Sequence, residues 1–313
     1  MKLLVTGASG FIGRNLLLAL PRDWAVTAVY NRDASFPGFL AAEGLAHVKP
    51  LRLDMADAPA IAALDEKQKS HEACVYLAAN GDPAYSDHAP ADDLRANAQA
   101  IVNLVNACRF GHFLFFSSGA VYDGLQGEVG PASALRPTLP YAISKWASER
   151  YVMHAQKKGR IETASVARFF GAYGPYEAER KIYGRLVRQF AIARAPKFTV
   201  RGDGRNLIDA MYVEDTVRGI RAILDRRPGE SATFDFYSGR PLSLKDLVTQ
   251  AAATFGLEAQ IEYAGEVPEY IEFRSTDHTM EARFGFRPAV ALGDGLTRFR
   301  DWMQRERHAV KAS

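Results

Sequence analysis

Lys2-Leu-Leu-Val-Thr6 runs directly into Gly7-Ala8-Ser9-Gly10-Phe11-Ile12-Gly13, and this stretch decides the fold. A short β-branched run followed at once by three spaced glycines reads as strand, tight turn and helix start. Gly7 allows the turn, Gly10 lets backbone amides approach a pyrophosphate, and Gly13 lets the helix pack closely on the strand. The first helical turn, at Phe11 and Ile12, then offers unpaired N–H groups to the anion. Glycines mark many strand–helix turns. Their placement here, inside a strand–turn–helix unit, reads as a dinucleotide site.

Outward from this unit the same alternation continues. Strands are expected at Ala25–Tyr30, His47–Leu53, Cys74–Ala79, Phe113–Ser117 and Thr163–Arg168. Amphipathic stretches fit between them: Phe11–Leu20, stopped by Pro21, then Asp92–Cys108, then Tyr141–Lys157, ending at Gly159. This is the pattern of an α/β, doubly wound parallel sheet. After Gly171 segments grow longer and richer in Gly and Pro turns, as in Gly202-Asp-Gly204. The reading is a dinucleotide-binding domain over 1–171, rejoined by about 207–225, and a smaller mixed substrate lobe over 172–313.

The end of the second strand reads the adenine ribose in such folds, and an NAD site places a carboxylate there. Here Tyr30 stands at that point, followed by Asn31 and Arg32. A missing carboxylate beside a guanidinium favours NADP(H) over NAD(H), because Arg32 pairs with a 2′-phosphate. Asp33 is the residue that argues the other way.

Tyr141-Ala-Ile-Ser-Lys145 puts a phenol and an ammonium one turn apart on one helix face. A phenol near pKa ~10 transfers protons poorly at neutral pH, and a neighbouring cation favours its ionised form. Lys145 is also placed to hold the nicotinamide ribose. The apolar run Phe113-Leu-Phe-Phe ends abruptly in Ser117-Ser118, at the carboxyl end of a strand, where open α/β sheets bind ligands. Ser118 is expected to hold a substrate oxygen while Tyr141 moves its proton.

With these residues in order the chain resembles the extended short-chain dehydrogenase/reductase family, the NAD-dependent epimerases and dehydratases. The likeness takes in the glycine loop, Leu53-Asp54-Met55, Tyr76-Leu-Ala78-Ala79, Pro90 with Asn97, Ser117-Ser118, Tyr141/Lys145, Arg168–Pro175 and 202–215. It implies a Rossmann fold, with Asp54 and Met55 flanking the adenine. Ala78, Ala79, Asn97 and Ser117 would border the cofactor, and Ser118, Tyr141 and Lys145 would form the catalytic set. It also implies a homodimer through helices 92–108 and 141–157. The chain departs from the family at three places. Dehydratases carry Asp-Glu after the catalytic hydroxyl, where Gly119-Ala120 stands here. Many members have Asn at Gly171 and Arg at Ile208, the latter contacting the substrate diphosphate. Arg205, Lys181, Arg185 and Arg274 are the candidates to replace that grip.

The wider composition fits this reading. The 313 residues carry a formal charge of +3 with scattered basic residues, so no nucleic-acid footprint is expected. No apolar run nears the ~20 residues needed to span a bilayer, so a cytoplasmic protein with no membrane partner is expected. The seven histidines never fall at ligand spacing and no metal site is expected; Cys74 and Cys108 read as buried free thiols. The expected activity is an NAD(P)-dependent reductase of a nucleotide-linked keto-sugar, of the 4-ketoreductase type. The alternatives are a nucleotide-sugar 4-epimerase with tightly held NAD and a non-catalytic dinucleotide sensor.

Overall fold

The computed structural model describes residues 1–226, 229–266 and 271–312. Seven strands form its central sheet: β1 Lys2–Thr6, β2 Ala25–Tyr30, β3 Val48–Arg52, β4 Ser70–Tyr76, β5 Arg109–Ser118, β6 Ile161–Phe169 and β7 Ala232–Phe236. All pair in parallel, in the order β7-β6-β5-β4-β1-β2-β3. The chain therefore winds one way from β1 to β3 and the other way from β4 to β7. The crevice between β1 and β4 is where such a sheet opens to a ligand.

The local chemistry explains the elements. β1 is buried along four of its five residues, as a strand covered on both faces must be. Among the described residues β3 pairs only with β2, and this edge position tolerates Pro50, which has no N–H to donate. β4 starts earlier and ends earlier than the expected Cys74–Ala79. Leu77, Ala78 and Ala79 thus leave the sheet and become loop. Thr6, fully buried, accepts from the Leu77 and Ala78 amides at 3.2 Å each, tying the ends of β1 and β4 together. β7 was not expected from the sequence. Its Phe234 and Phe236 are fully buried in the same core as Leu3, Val5, Leu16 and Leu17, and Met280, Phe284 and Phe286 join them.

Helices flank the sheet: α1 Phe11–Ala19, α2 over 90–107, α3 Pro140–Lys157 and α4 Val213–Arg226. In α2 a π-turn at Arg95–Gln99 interrupts the α-helical runs on either side. α4 brings Val217, Ile220, Ile223 and Leu224 into the sheet core, beside α1. A separate apolar cluster is built from later residues, among them Tyr173, Phe190, Phe198, Tyr212, Leu247, Phe255 and Phe299. Short two-stranded ribbons frame it, such as Lys197–Arg201 with Gln260–Ala264. Cys74 and Cys108 are free and buried, and burial pushes both thiols up.

Candidate active site

A cleft of about 750 Å³ opens at the carboxyl ends of β1–β4. Of the expected cofactor residues it is lined by Gly7, Gly10, Asn31, Arg32, Asp54, Met55, Ala78 and Ala79. Gly7 has φ +66°, and a Cβ there would come within 2.8 Å of the Ala78 amide nitrogen. A Cβ at Gly13 would stand 2.5 Å from the Gly7 carbonyl and 2.6 Å from that of Ala8. These two glycines are required by the fold itself. Gly10 differs: its φ is −77°, and a Cβ would meet only the Gly7 carbonyl, at 3.2 Å. Its bareness leaves space in the cleft, and the loop fits a dinucleotide pyrophosphate.

Not all the expected residues face this cleft. Gly13 packs inward, and Phe11 and Ile12 contribute the start of α1, whose first N–H groups have no intrahelical partner. Asn97 is buried behind the wall: its Oδ1 accepts from the Asn80 amide at 2.8 Å, so it shapes the cleft through Asn80. Ser117 is turned away, its buried hydroxyl donating to Glu149 at 2.5 Å.

At the ribose end of the cleft, Asp33 accepts from Arg14 at 2.6 Å and from the Ser35 hydroxyl at 2.6 Å. Burial pushes its carboxyl up, but the hydrogen bonds from Ser35 and Arg14 outweigh this and hold it below the ordinary range. The Arg14 guanidinium lies 4.4 Å from the Phe39 ring centre, which fixes it against α1's flank. The sequence reading weighed Asp33 but missed Arg14, Asn80 and Asp82. No local pattern marks them, because the contacts join residues distant in the chain.

One strand beyond the cleft, Ser118 ends β5 and caps the following turn by accepting from the Ala120 amide at 3.1 Å. Tyr141 occupies the first turn of α3, its amide donating to Ser86 Oγ at 3.1 Å. Ser118 stands beside Tyr141, close enough for its hydroxyl to stabilise the ionised phenol. One turn on, Lys145 is buried, with Nζ donating to the Phe116 carbonyl at 2.5 Å and 4.5 Å from the Phe115 ring centre. The fold thus assembles the three expected catalytic side chains.

Their electrostatics differ from the expectation. Burial pushes the Tyr141 phenol up, Ser118 pulls it down, and the Asp93 carboxylate adds an upward push. The net result lies above the ordinary value, and Lys145 does not lower it. Lys145 is itself driven down to about 8, by burial acting against the pull of Glu149 and Asp93. The cause is geometric: the ammonium is spent on a backbone carbonyl instead of the phenol.

Residues 3–234 match the model of the NAD dependent epimerase/dehydratase family. The chain belongs to that family. It is an enzyme of the extended short-chain dehydrogenase/reductase type. The chain is 30% identical to a dTDP-glucose 4,6-dehydratase of Streptomyces griseus, over 97% of this chain and 94% of that protein. It is 27% identical to an uncharacterised UDP-glucose epimerase, YtcB, of Bacillus subtilis, over 95% and 96% of the two. Among solved structures it resembles MoeE5 in complex with UDP-glucose and NAD, with TM-score 0.83 and 26% identity, covering 98% of this chain and 99% of that one. That structure carries NAD, and the expectation of NADP(H) gains nothing from it.

Three family positions changed here have structural consequences. A Cβ at Gly119 would press to 3.1 Å against the Phe170 ring, so the dehydratase acid pair has no room without moving Phe170. Gly171 has φ +144°, a conformation that strains any side chain, and a Cβ would touch Ala210 at 3.3 Å. Ile208 pairs with Leu242 in a ribbon and packs on the lobe core. Both former anchor positions are thus built into the backbone. Of the candidate replacements, Arg205 is paired with Asp203 and Glu272, and Arg274 with Glu128. Arg185 lies over the Phe198 ring and donates to the Thr199 carbonyl. Lys181 is half-buried near Glu177. Among the described residues no group of three or more His, Cys, Asp and Glu could hold a metal ion, and no helix is long and apolar enough to cross a membrane.

Proposed function

We propose that this enzyme oxidises or reduces a ring carbon of a nucleotide-linked sugar, with a nicotinamide dinucleotide in the β1–β4 cleft and the sugar held over Ser118 and Tyr141. The observation that carries the proposal is the convergence of Ser118 at the end of β5, Tyr141 in the first turn of α3 and buried Lys145 one turn on. When bound, the nicotinamide supplies or takes up hydride. Ser118 holds the substrate oxygen, and Tyr141 gives it a proton on reduction or removes one on oxidation. Lys145 orients the nicotinamide ribose. Gly7, Gly10 and the start of α1 receive the pyrophosphate; Asp54 and Met55 flank the adenine, with Ala78 and Ala79 bordering the dinucleotide. The lobe from 172 onward closes on the sugar.

Two readings of the turnover have specific support. Tyr30 and Arg32 in the cleft wall support NADP(H) and a 4-ketoreductase. With Asp33 engaged by Arg14, the Arg32 guanidinium in the cleft wall is placed to meet a 2′-phosphate. The similarity to an epimerase by sequence and to an NAD complex by structure supports a 4-epimerase with retained NAD. Gly119-Ala120 stands where the acid pair would be, and a Cβ at Gly119 would meet the Phe170 ring at 3.1 Å, which speaks against dehydration in either case. The exposed apolar side chains of Leu94, Ile143, Trp146 and Tyr151 on α2 and α3 support a homodimer, and we place the protein in the cytoplasm.

The test is to incubate purified enzyme with UDP-, dTDP- and GDP-linked hexoses and their 4-keto forms, with and without added NADPH. Consumption of NADPH with a keto-sugar supports the reductase. Interconversion of two sugars with no added cofactor supports the epimerase. Tyr141→Phe should lower either rate by roughly 10²–10⁴-fold; undiminished turnover in that variant would refute the proposed chemistry.

A further inference from the structure

Beneath the catalytic pair lies a carboxylate that no step above uses. Asp93, on α2, is fully buried. Its Oδ1 accepts from Asn80 Nδ2 at 2.7 Å and Asn97 Nδ2 at 3.0 Å, and its Oδ2 accepts from the Ser144 hydroxyl at 2.5 Å. Ser144 immediately precedes Lys145 on α3. Asn97 sits in the π-turn of α2, a distortion often found at functional sites. The group thus joins α2, α3 and the cleft loop after β4 at one point.

Hydrogen bonding alone does not call for an acid there. An asparagine at 93 would present Oδ1 to Asn80 and Asn97 and donate Nδ2 to Ser144, whose hydroxyl would turn to the Tyr141 carbonyl, 3.0 Å away. What asparagine lacks is the charge, and an isolated buried charge is costly. The three partners of Asp93 are neutral, and among the described residues no cation is bonded to it. The other buried carboxylate nearby, Glu149, is already engaged by Arg168 in a two-pronged ion pair at 2.9 and 3.0 Å.

We propose that Asp93 is a positioning residue for the catalytic pair: together with Glu149, its buried charge holds Lys145 as a cation beneath Tyr141. The proposal rests on the catalytic reading of Tyr141 and Lys145. Other groups face this pair: Ser118 from β5, which lowers Tyr141, and Glu149 on α3, which is paired with Arg168 from β6 and raises Lys145 more than Asp93 does. Asp92 and Arg95 on α2 and Asp82 after β4 line the cleft, on its open side. The sign of the charge effect agrees, since the Asp93 carboxylate raises both Tyr141 and Lys145.

The experiment is an NMR titration of ligand-free protein labelled at tyrosine Cζ and lysine Cε, with Tyr141→Phe and Lys145→Arg assigning the two signals. Asp93→Asn keeps the bonds and removes the charge, so both midpoints should move to lower pH. Ser144→Ala removes a bond and keeps the charge, so both should stay at their wild-type positions. Unmoved midpoints in Asp93→Asn overturn the proposal, as do midpoints displaced equally in Ser144→Ala. If Asp93→Asn does not fold, Asp93→Ser, which also removes the charge, takes its place: lowered midpoints support the proposal and wild-type ones refute it. Failure here leaves the catalytic reading standing, since that falls only if Tyr141→Phe retains full turnover.

Discussion

Two alanine substitutions three residues apart should fail in opposite ways. At Gly13 an added Cβ meets three backbone atoms at 2.5–2.7 Å, all in the turn it packs against. Backbone cannot swing aside as a side chain does, so α1 must shift from β1. Overpacking of this kind costs about 1–3 kcal/mol, and at roughly 2–4 °C per kcal/mol for chains of this size class the Tm falls by about 2–12 °C. At Gly10 the backbone is already in a conformation open to alanine, and one contact at 3.2 Å is the whole cost. Loss of unfolded-state freedom offsets it, leaving stability within about 1 kcal/mol of wild type. The new methyl instead occupies cleft space meant for phosphate oxygens. Dinucleotide affinity should fall roughly ten- to hundredfold, taking the same 1–3 kcal/mol as crowding in the complex. Differential scanning fluorimetry reads the first effect and nicotinamide fluorescence the second. Gly10→Ala binding as wild type, or Gly13→Ala melting as wild type, would refute this division of roles.

Arg32→Ala should weaken NADPH roughly ten- to hundredfold, the loss of one charge-assisted contact of ~1.5–3 kcal/mol, and leave NADH within about twofold; equal losses would remove the 2′-phosphate role. Glu177 has a buried, unpartnered Oε2 and is pushed by burial to about 8 from an ordinary 4.5. The native state therefore holds a proton the unfolded chain gives up, and stability drains away as pH rises from 4.5 to about 8. Glu177→Gln should match wild type in Tm near pH 4.5 and exceed it increasingly up to pH 8; a constant offset across that range would contradict this. Trp146→Glu, on the exposed face of α3, should turn a dimer into a monomer by light scattering, and an unchanged mass would move the interface elsewhere.

Much of this was legible in the sequence because it is local. The glycine loop, the hydroxyls ending β5 and the Tyr141/Lys145 spacing each fall within a few residues, and one element sets their geometry. β7 was not legible. Ala-Thr-Phe-Asp-Phe at 232–236 is a short apolar run far from its partner, and only the β6 register at Ser165–Phe169 makes it a sheet strand. Cleft loop 77–79 was read as strand because its residues are apolar, although they leave the ladder to border the cleft. The charge balance at Tyr141 was misread for a similar reason: spacing puts Lys145 on the right face, but burial and the Phe116 carbonyl decide what its ammonium does. Asp93 was invisible because its partners come from three separate segments.

The most direct test of hydride chemistry at Tyr141 is to load the enzyme with dinucleotide, mix it rapidly with the sugar-nucleotide panel and follow nicotinamide fluorescence. The account predicts that at least one nucleotide-linked sugar changes the nicotinamide redox state in wild type and fails to do so in Tyr141→Phe. Sugars that bind without any redox change, or a change that persists undiminished in Tyr141→Phe, would contradict it.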